Sequence, residues 1–347
     1  RRRRRAVHGL ICIHSSARVH DHIDLNMAAT FCPFVVILLG LSSLTVNGCS
    51  NFLVSRAATT DNSTHVAYNS DGQSFYGYMA HYARGTHASG TMRPIYEFGT
   101  GHYLGEIPEA PKTYNVIGNM NEFQVAIGET TFDGIESLAT QPGAIIDYYS
   151  LMWLALQRSH TAREAIMVMD QLTQEYGYAS TGETFSISDP SEVWHMDLIG
   201  KGVGEKGAVW VAQRVPEGYV SAHANQARIT TWPRADNTNT LWSSDIVDFA
   251  VKKGLYPKTA APEFFSFADV FDPLTPISAR LCEARVWDLF RHVAEPTFEA
   301  TYLDYAQGQN LSNRMPLFVQ AARKLAVNDS FWQMRRHYEG SWFDTRD

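Results

Sequence analysis

Cys49 is the residue of this 347-residue chain whose position best suits chemistry, because cleavage after Gly48 would make it the first residue. A free N-terminal cysteine carries a thiol of pKa about 8.5 and an α-amine of pKa about 7.7–8.0. The amine can then act as the base for the thiol without a histidine. Two alternatives stay open at this point. Val46-Asn-Gly-Cys49 also resembles a bacterial lipoprotein cleavage site, and the cysteine could be an incidental residue near a mature terminus.

The segment before Cys49 has the pattern of a secretory signal peptide. It begins at Met27, and its apolar run at 34–41 is too short to span a membrane but suits a signal sequence. Val46 and Gly48 would stand at the −3 and −1 positions, although no positive charge follows Met27 directly. We predict a signal peptide at 27–48 and a secreted or lumenal protein, with a lysosome-like compartment as one option.

Residues 1–26 precede a plausible start codon, and we interpret them as upstream sequence that is not native to the protein. The run Arg1 to Arg5 could alternatively be a nuclear or nucleic-acid patch. The rest of the chain argues against that, since residues 49–347 hold 23 basic and 34 acidic residues. An acidic body disfavours nucleic acid as a partner.

Few other residues suggest a rival chemistry. Cys49 and Cys282 are the only cysteines after residue 48, too few for a disulfide framework. The nine histidines after residue 48 form neither an H-E-x-x-H helix nor a zinc-finger spacing, and there is no G-x-S-x-G elbow or P-loop. We therefore expect no metal, no cofactor and no stable membrane span in the mature chain.

Strand patterns surround a pair of predicted helices, which favours an α+β fold. A hairpin is predicted from strands at 50–54 and 65–69, and two strands joined by an Asn-rich turn at 112–131. The helices are expected at about 144–158 and at 162–176, the second ending at Gly177. Further strands are predicted at 184–188, 192–199, 208–215 and 219–223. We assign 49–235 to the core of the catalytic domain and 236–347 to a helical continuation of it.

Several strings, in order, resemble the PepD-type cysteine dipeptidases of the N-terminal nucleophile (Ntn) hydrolases. They are Cys49-Ser-Asn-Phe-Leu-Val-Ser, Asp61-Asn-Ser-Thr-His-Val-Ala-Tyr-Asn-Ser-Asp71, Met120-Asn-Glu-Phe-Gln-Val-Ala-Ile-Gly-Glu-Thr-Thr131, Ile187-Ser-Asp-Pro-Ser-Glu-Val-Trp194, Trp210-Val-Ala-Gln-Arg-Val-Pro216 and Ala224-Asn-Gln-Ala-Arg-Ile229. The resemblance extends to His337-Tyr-Glu-Gly-Ser-Trp-Phe-Asp344, which is similar to a segment well before that family's usual end. The chain is therefore expected to be C-terminally incomplete.

The resemblance implies a four-layer αββα sandwich and a set of catalytic residues. Cys49 would be the nucleophile, and Asp71 would lie near its amine. Asn121 and Asn225 would donate to the developing oxyanion, and Arg228 would close the site. The residues other than Cys49 also have structural interpretations. Asp71 and Asn121 could each shape a turn, Asn225 could cap a loop, and Arg228 could be a solvated strand residue.

The function implied is hydrolysis of dipeptides through a thioester acyl-enzyme, with small peptides as partners and a homo-oligomer as one option. One departure is Tyr68, which stands where related acylases and many dipeptidases have arginine. It leaves open an amide acylase that acts on N-acyl compounds. A non-catalytic, lipid-anchored binding protein of the same fold is the alternative from another class.

Overall fold

The computed structural model describes residues 48–71, 79–344 and 346. Its first strand, β1 (Ser50–Val54), begins directly after Cys49, and its apolar side chains Phe52, Leu53 and Val54 are fully buried. An antiparallel hairpin joins it to β2 (His65–Asn69). This hairpin confirms the prediction from the alternating sequence pattern.

The remaining strands fall into two main sheets and two short ribbons. They are β3 (His81–Tyr82), β4 (Gly85–Thr86), β5 (Met92–Tyr96), β6 (Tyr103–Pro108), β7 (Lys112–Thr113), β8 (Val116–Ile117), β9 (Met120–Asn121), β10 (Ala126–Phe132), β11 (Gly182–Ser188), β12 (Val193–Gly200), β13 (Ala208–Arg214), β14 (Tyr219–His223), β15 (Thr240–Trp242) and β16 (Phe318–Gln320). One sheet has the order β16-β14-β1-β2, and the other has the order β15-β13-β12-β11-β10-β9-β8-β3. All pairings within both sheets are antiparallel.

The α-helices are mostly short and lie largely in the second half of the chain. They are α1 (Glu136–Ala139), α2 (Tyr148–Arg158), α3 (Ala162–Tyr176), α4 (Ile246–Lys252), α5 (Phe267–Phe271), α6 (Pro276–Ser278), α7 (Ala284–Arg291), α8 (Phe298–Ala306) and α9 (Val327–Gln333). A π-helical turn, Ala279–Glu283, connects α6 to α7, and short 3₁₀ turns form at Arg56–Ala58 and Pro262–Phe264. None of the helices in the described part of the chain is long and apolar enough to cross a membrane.

Helices α2 and α3 pack on the eight-stranded sheet because each has a well-formed start and an apolar face. The side chain of Asp147 caps α2 through the Ser150 N–H, and Thr161 caps α3 through the Glu164 N–H. Their buried residues share one core cluster with those of β11 and β12. The four-stranded sheet instead shares a core with α7 and α8.

Polar side chains join the two sheets. His223 on β14 bonds through Nδ1 to Thr130 Oγ1 and through Nε2 to Ser186 Oγ, each at 2.7 Å. Thr130 and Ser186 belong to β10 and β11, so the facing surfaces of the sheets meet through paired polar groups. This pairing satisfies buried groups that would otherwise be costly.

The fold is a mixture of helices and sheets, which agrees with the predicted α+β class, but some predicted elements differ. The segment 112–131 contains β7 to β10 rather than two strands, because Gly118 and Gln124 adopt positive φ and turn the chain twice. The strands β3 to β6 were not predicted, since their short, Gly-rich sequence lacks a sustained alternation. Two short strands, β15 and β16, interrupt the helical region predicted after 236.

Candidate active site

Cys49 lies where the start of β1 meets the end of β14. The antiparallel register pairs Asn51 with His223, so the residues just before β1 lie beside those just after β14. Asn225 follows with a left-handed backbone (φ 54°), which asparagine tolerates better than most residues. This turn directs its side chain to Cys49, whose backbone N–H donates to Asn225 Oδ1 at 2.8 Å. The predicted pair of Cys49 and Asn225 is therefore brought together.

Arg285 holds the same junction from α7. Its Nη1 donates to the Cys49 carbonyl oxygen at 2.5 Å and to Ser50 Oγ at 3.1 Å. Its Nη2 donates to Asn225 Oδ1 at 2.9 Å and to the Ala224 carbonyl oxygen at 3.3 Å. One guanidinium thus fixes both the backbone of Cys49 and the amide of Asn225. Arg285 was not among the predicted site residues, because no local motif surrounds it in the sequence.

Asp71 reaches the other side of the junction. Strand β2 pairs Asn69 with Ser50, which returns the chain to the beginning of β1. Asp71 Oδ2 lies 3.3 Å from the point where a Cβ on Gly48 would stand, and Arg285 Nη1 lies 3.2 Å from that point. A carboxylate and a guanidinium therefore flank the peptide bond that precedes Cys49. Asp71 is thus a neighbour of Gly48, the residue that precedes Cys49.

The thiol of Cys49 is buried and has a raised pKa in this structure. Only 8% of the residue is exposed. Burial, and next the Glu129 carboxyl group, raise the pKa of the Cys49 thiol to about 11, against the opposing effects of the Asp71 backbone N–H and the Ser70 hydroxyl. Ser70 Oγ lies 4.0 Å from the sulfur. A thiol with such a pKa needs a nearby positive charge to react at neutral pH.

Tyr68, the departure from the family pattern, contacts a buried carboxyl group. Its hydroxyl donates to Glu129 Oε1. Gly128 makes room for this approach, since a Cβ there would lie 3.2 Å from the Cβ of Tyr68. At the position where the resemblance implies an arginine, this chain therefore has a phenol bonded to an acid. Burial and Glu129 raise the pKa of Tyr68 well above its usual value.

Arg228, which was predicted to close the site, makes its described contacts away from Cys49. It is 4% exposed, and its Nε donates to both carboxylate oxygens of Glu283 at 3.0 and 3.2 Å. Its Nη1 donates to the Ala222 carbonyl oxygen at 3.0 Å, and its Nη2 to that of Pro316 at 3.1 Å. These contacts join the segment after β14 to the π-helical turn. Arg285, and not Arg228, is the arginine at Cys49.

Asn121 is likewise occupied elsewhere. Its Nδ2 donates to the carbonyl oxygens of Leu156 and Ser159, both at 2.8 Å, and its Oδ1 accepts from the N–H groups of Phe123 and Val125, both at 3.0 Å. Both amide hydrogens are therefore engaged at the end of α2. Its contacts support a structural role, and they do not support the predicted role of oxyanion donor.

No group of three or more His, Cys, Asp or Glu side chains within the described ranges is arranged to hold a metal ion. Cys282, the other described cysteine, is partly buried and unbridged, and burial raises the pKa of its thiol. The polar groups that meet at the start of β1 are those of Cys49, Asn225, Arg285 and Asp71.

Comparison with known proteins agrees with this geometry. The family model for Peptidase family C69 matches residues 48–347, beginning one residue before Cys49. The chain belongs to Peptidase family C69. The resemblance to the cysteine dipeptidases inferred from the ordered strings is thereby confirmed.

Named relatives of this C69 chain are distant in sequence. It is 25% identical to a probable dipeptidase of Latilactobacillus sakei over 86% of the chain and 62% of the relative. It is 24% identical to a probable dipeptidase of Salmonella dublin, over 90% of the chain and 71% of the relative. With Dipeptidase A of Lactobacillus helveticus the figures are 26% identity, 55% of the chain and 36% of the relative. The chain thus spans between one third and three quarters of the length of these relatives.

Proposed function

We propose that this C69 chain is a cysteine dipeptidase whose nucleophile is Cys49 after removal of Gly48. The observation that carries the proposal is the 2.8 Å bond from the Cys49 nitrogen to Asn225 Oδ1, beside Arg285 and Asp71. A free α-amine at that nitrogen would be oriented by Asn225 and would lie next to its own thiol. Membership of Peptidase family C69 and the dipeptidase names of the relatives support the same activity.

The chemistry follows from those positions. The amine takes the thiol proton, the sulfur bonds to the scissile carbonyl carbon, and negative charge develops on the carbonyl oxygen. Asn225 Nδ2 uses one hydrogen for the Thr131 carbonyl oxygen at 2.5 Å, which leaves its second hydrogen for that oxyanion. The ammonium then protonates the leaving amino acid as the C–N bond breaks. Water, deprotonated by the amine, attacks the thioester carbon and restores the thiol.

The experiment is dipeptide hydrolysis by a chain that begins at Cys49, followed as release of free amino acid. We expect Cys49→Ser to abolish most of the turnover, whereas Cys282→Ala, the matched change at the other described cysteine, keeps it. Retention of activity in Cys49→Ser would contradict the assignment of the nucleophile.

We further infer the four-layer αββα arrangement of the Ntn hydrolases. Its support is the packing of α2 and α3 on the eight-stranded sheet, the packing of α7 and α8 with the four-stranded sheet, and the polar contacts between the sheets. Secretion through a signal peptide at 27–48 is also proposed, and this segment lies outside the described residues except for Gly48. Intact-mass measurement and N-terminal sequencing of the mature protein test it, because they report whether Cys49 is first and whether its amine is free.

A further inference from the structure

Two glutamates with buried carboxyl groups stand side by side next to the nucleophile. Glu129 on β10 and Glu183 on β11 are 2% and 0% exposed. Glu129 Oε1 accepts from Tyr68, and Glu183 Oε1 accepts from Thr131 Oγ1 at 2.7 Å. The Oε2 atom of each has no hydrogen-bond donor among the described residues. The register pairs Thr131 with Glu183, so Glu129, two residues earlier on β10, lies on the same face of the sheet and diagonal to Glu183. Two carboxylates so placed repel each other unless a proton or a cation compensates one of them.

No ion pair within the described ranges includes Glu129 or Glu183. Burial raises the pKa of both carboxyl groups, and the charge of Glu129 raises that of Glu183 further. In structural ion pairs elsewhere in this chain, such as Arg228 with Glu283, a guanidinium compensates the buried acid. An uncompensated acidic pair is costly for stability, and such costs are concentrated at functional sites.

The pair also adjoins a cavity. A cavity of about 290 Å³ is lined by Thr131 and Glu183 together with Tyr148, Ser180 and Glu97, and its described lining residues include no Lys or Arg. Thr131 connects the cavity to the nucleophile, since its carbonyl oxygen accepts from Asn225, which in turn binds Cys49. Glu183 lines this cavity, and Glu129 lies two residues before Thr131 on the same face of β10.

We propose that Glu129 and Glu183 bind the α-ammonium group of the substrate's N-terminal residue. In a dipeptide this nitrogen is separated from the scissile carbonyl carbon by one atom, a distance of about 2.5 Å. A substrate whose carbonyl carbon meets the Cys49 sulfur therefore places its ammonium beside the nucleophile. Asn225, which binds the Cys49 nitrogen, also binds Thr131, whose hydroxyl bonds to Glu183. An N-acyl substrate would place a neutral amide there, against acids that have no donor. The inference rests on the proposed function and specifies its substrate as a dipeptide with a free amino terminus.

Binding to a chain that begins at residue 49 and carries Cys49→Ser tests the proposal without turnover. The probes are Ala-Ala and propionyl-Ala, which differ only by the ammonium group, and calorimetry gives their dissociation constants. We expect Ala-Ala to bind about 10- to 100-fold more tightly, the usual range for a charge-assisted hydrogen bond. Adding Glu183→Gln should remove most of that preference and leave the affinity for propionyl-Ala within about twofold.

Glu136→Gln is the matched control, because it removes an equal charge from an exposed position and should keep the preference. Glu129→Gln is the second variant, so the test does not depend on the folding of one protein. Equal binding of the two probes, or a preference that survives both buried substitutions, would overturn the proposal. A Glu183-dependent gain for acetyl-Lys-Ala would overturn it too, since the cation would then be a substrate side chain. Hydrolysis by the Cys49 chain is measured separately, so inactivity there refutes the dipeptidase assignment and not this binding site.

Discussion

Retention of Gly48 should suppress the reactivity of the Cys49 thiol. The structure contains the intact Gly48–Cys49 bond, and the thiol in that state has a pKa of about 11. At pH 7.5 about 0.03% of such a thiol is thiolate, against about 9% for a cysteine of pKa 8.5. A more basic thiolate is a better nucleophile by about 10- to 20-fold over this pKa difference. Alkylation of the intact chain should therefore be about 15- to 30-fold slower than that of free cysteine.

Removal of Gly48 should lower the pKa of the Cys49 thiol, because it creates a positively charged amine beside the sulfur. An ammonium about 4 Å from the sulfur contributes about 4 kcal/mol at an effective dielectric constant of 20, which lowers the thiol pKa by about three units. The pKa then returns to about 8, so a thiolate forms readily at neutral pH. As pH rises, the intact chain should gain reactivity continuously toward pH 11, whereas the cleaved chain should level off near pH 9.

The assay compares two proteins that differ by one residue. One begins at Cys49 and the other at Gly48, each made with an initiator methionine that the host removes, and both carry Cys282→Ala. Iodoacetamide modification is followed by intact mass, with both proteins in guanidinium chloride as the control for equal intrinsic reactivity. Equal rates for the two folded chains, or dipeptide hydrolysis by the chain that keeps Gly48, would refute the reasoning.

Three substitutions separate catalytic from structural residues. Asn225→Ala should lower kcat/KM for a dipeptide by about 10²–10³ in the protein that remains folded. It should also reduce the free energy of unfolding by about 1–2 kcal/mol, because three hydrogen bonds are lost. An unchanged kcat/KM for the folded variant would contradict its role as a donor. Asn121→Ala should instead reduce the free energy of unfolding by about 2 kcal/mol or more, because it leaves four backbone groups without partners. Denaturant titration measures this free energy. A large loss of kcat at unchanged stability would restore the catalytic assignment of Asn121. Arg228→Met should reduce the free energy of unfolding by about 3–5 kcal/mol, because it leaves Glu283 buried without a charge partner. An unfolding midpoint equal to that of the parent chain would show that the ion pair does not contribute to stability.

The sequence sufficed for elements whose pattern is local. The hairpin of β1 and β2 and the whole of α3 follow from alternation, helical periodicity and the Gly177 stop. The positions of Cys49, Asp71 and Asn225 also follow, because each lies within three residues of the end of a strand with a regular pattern. Strand register then brings those ends together.

Arg285 could not be predicted in the same way. It meets Cys49 across 236 residues of chain, and its direction depends on how the π-helical turn before α7 packs against β1 and β14. Nothing in its neighbourhood distinguishes it from a solvated helical arginine. Arg228 attracted the prediction because it stands near Asn225 in sequence, yet Asn225's left-handed backbone turns the chain between them, and Arg228 points to Glu283.

The alternation of β10 could have identified Glu129 from the sequence as a buried acid. Ile127 and Glu129 lie two residues apart on a strand and so share a face, which assigns a carboxyl group to a buried position. An acid at such a position is rare unless it has a partner. Beyond Ala126, β10 has no neighbouring strand among the described residues on the side that faces the site, and Thr131 presents its carbonyl oxygen to Asn225 there. Strand β10 thus carries an acid at a position where burial favours an apolar residue, and its open edge borders the nucleophile. Such a conflict between residue type and burial is expected at a functional site.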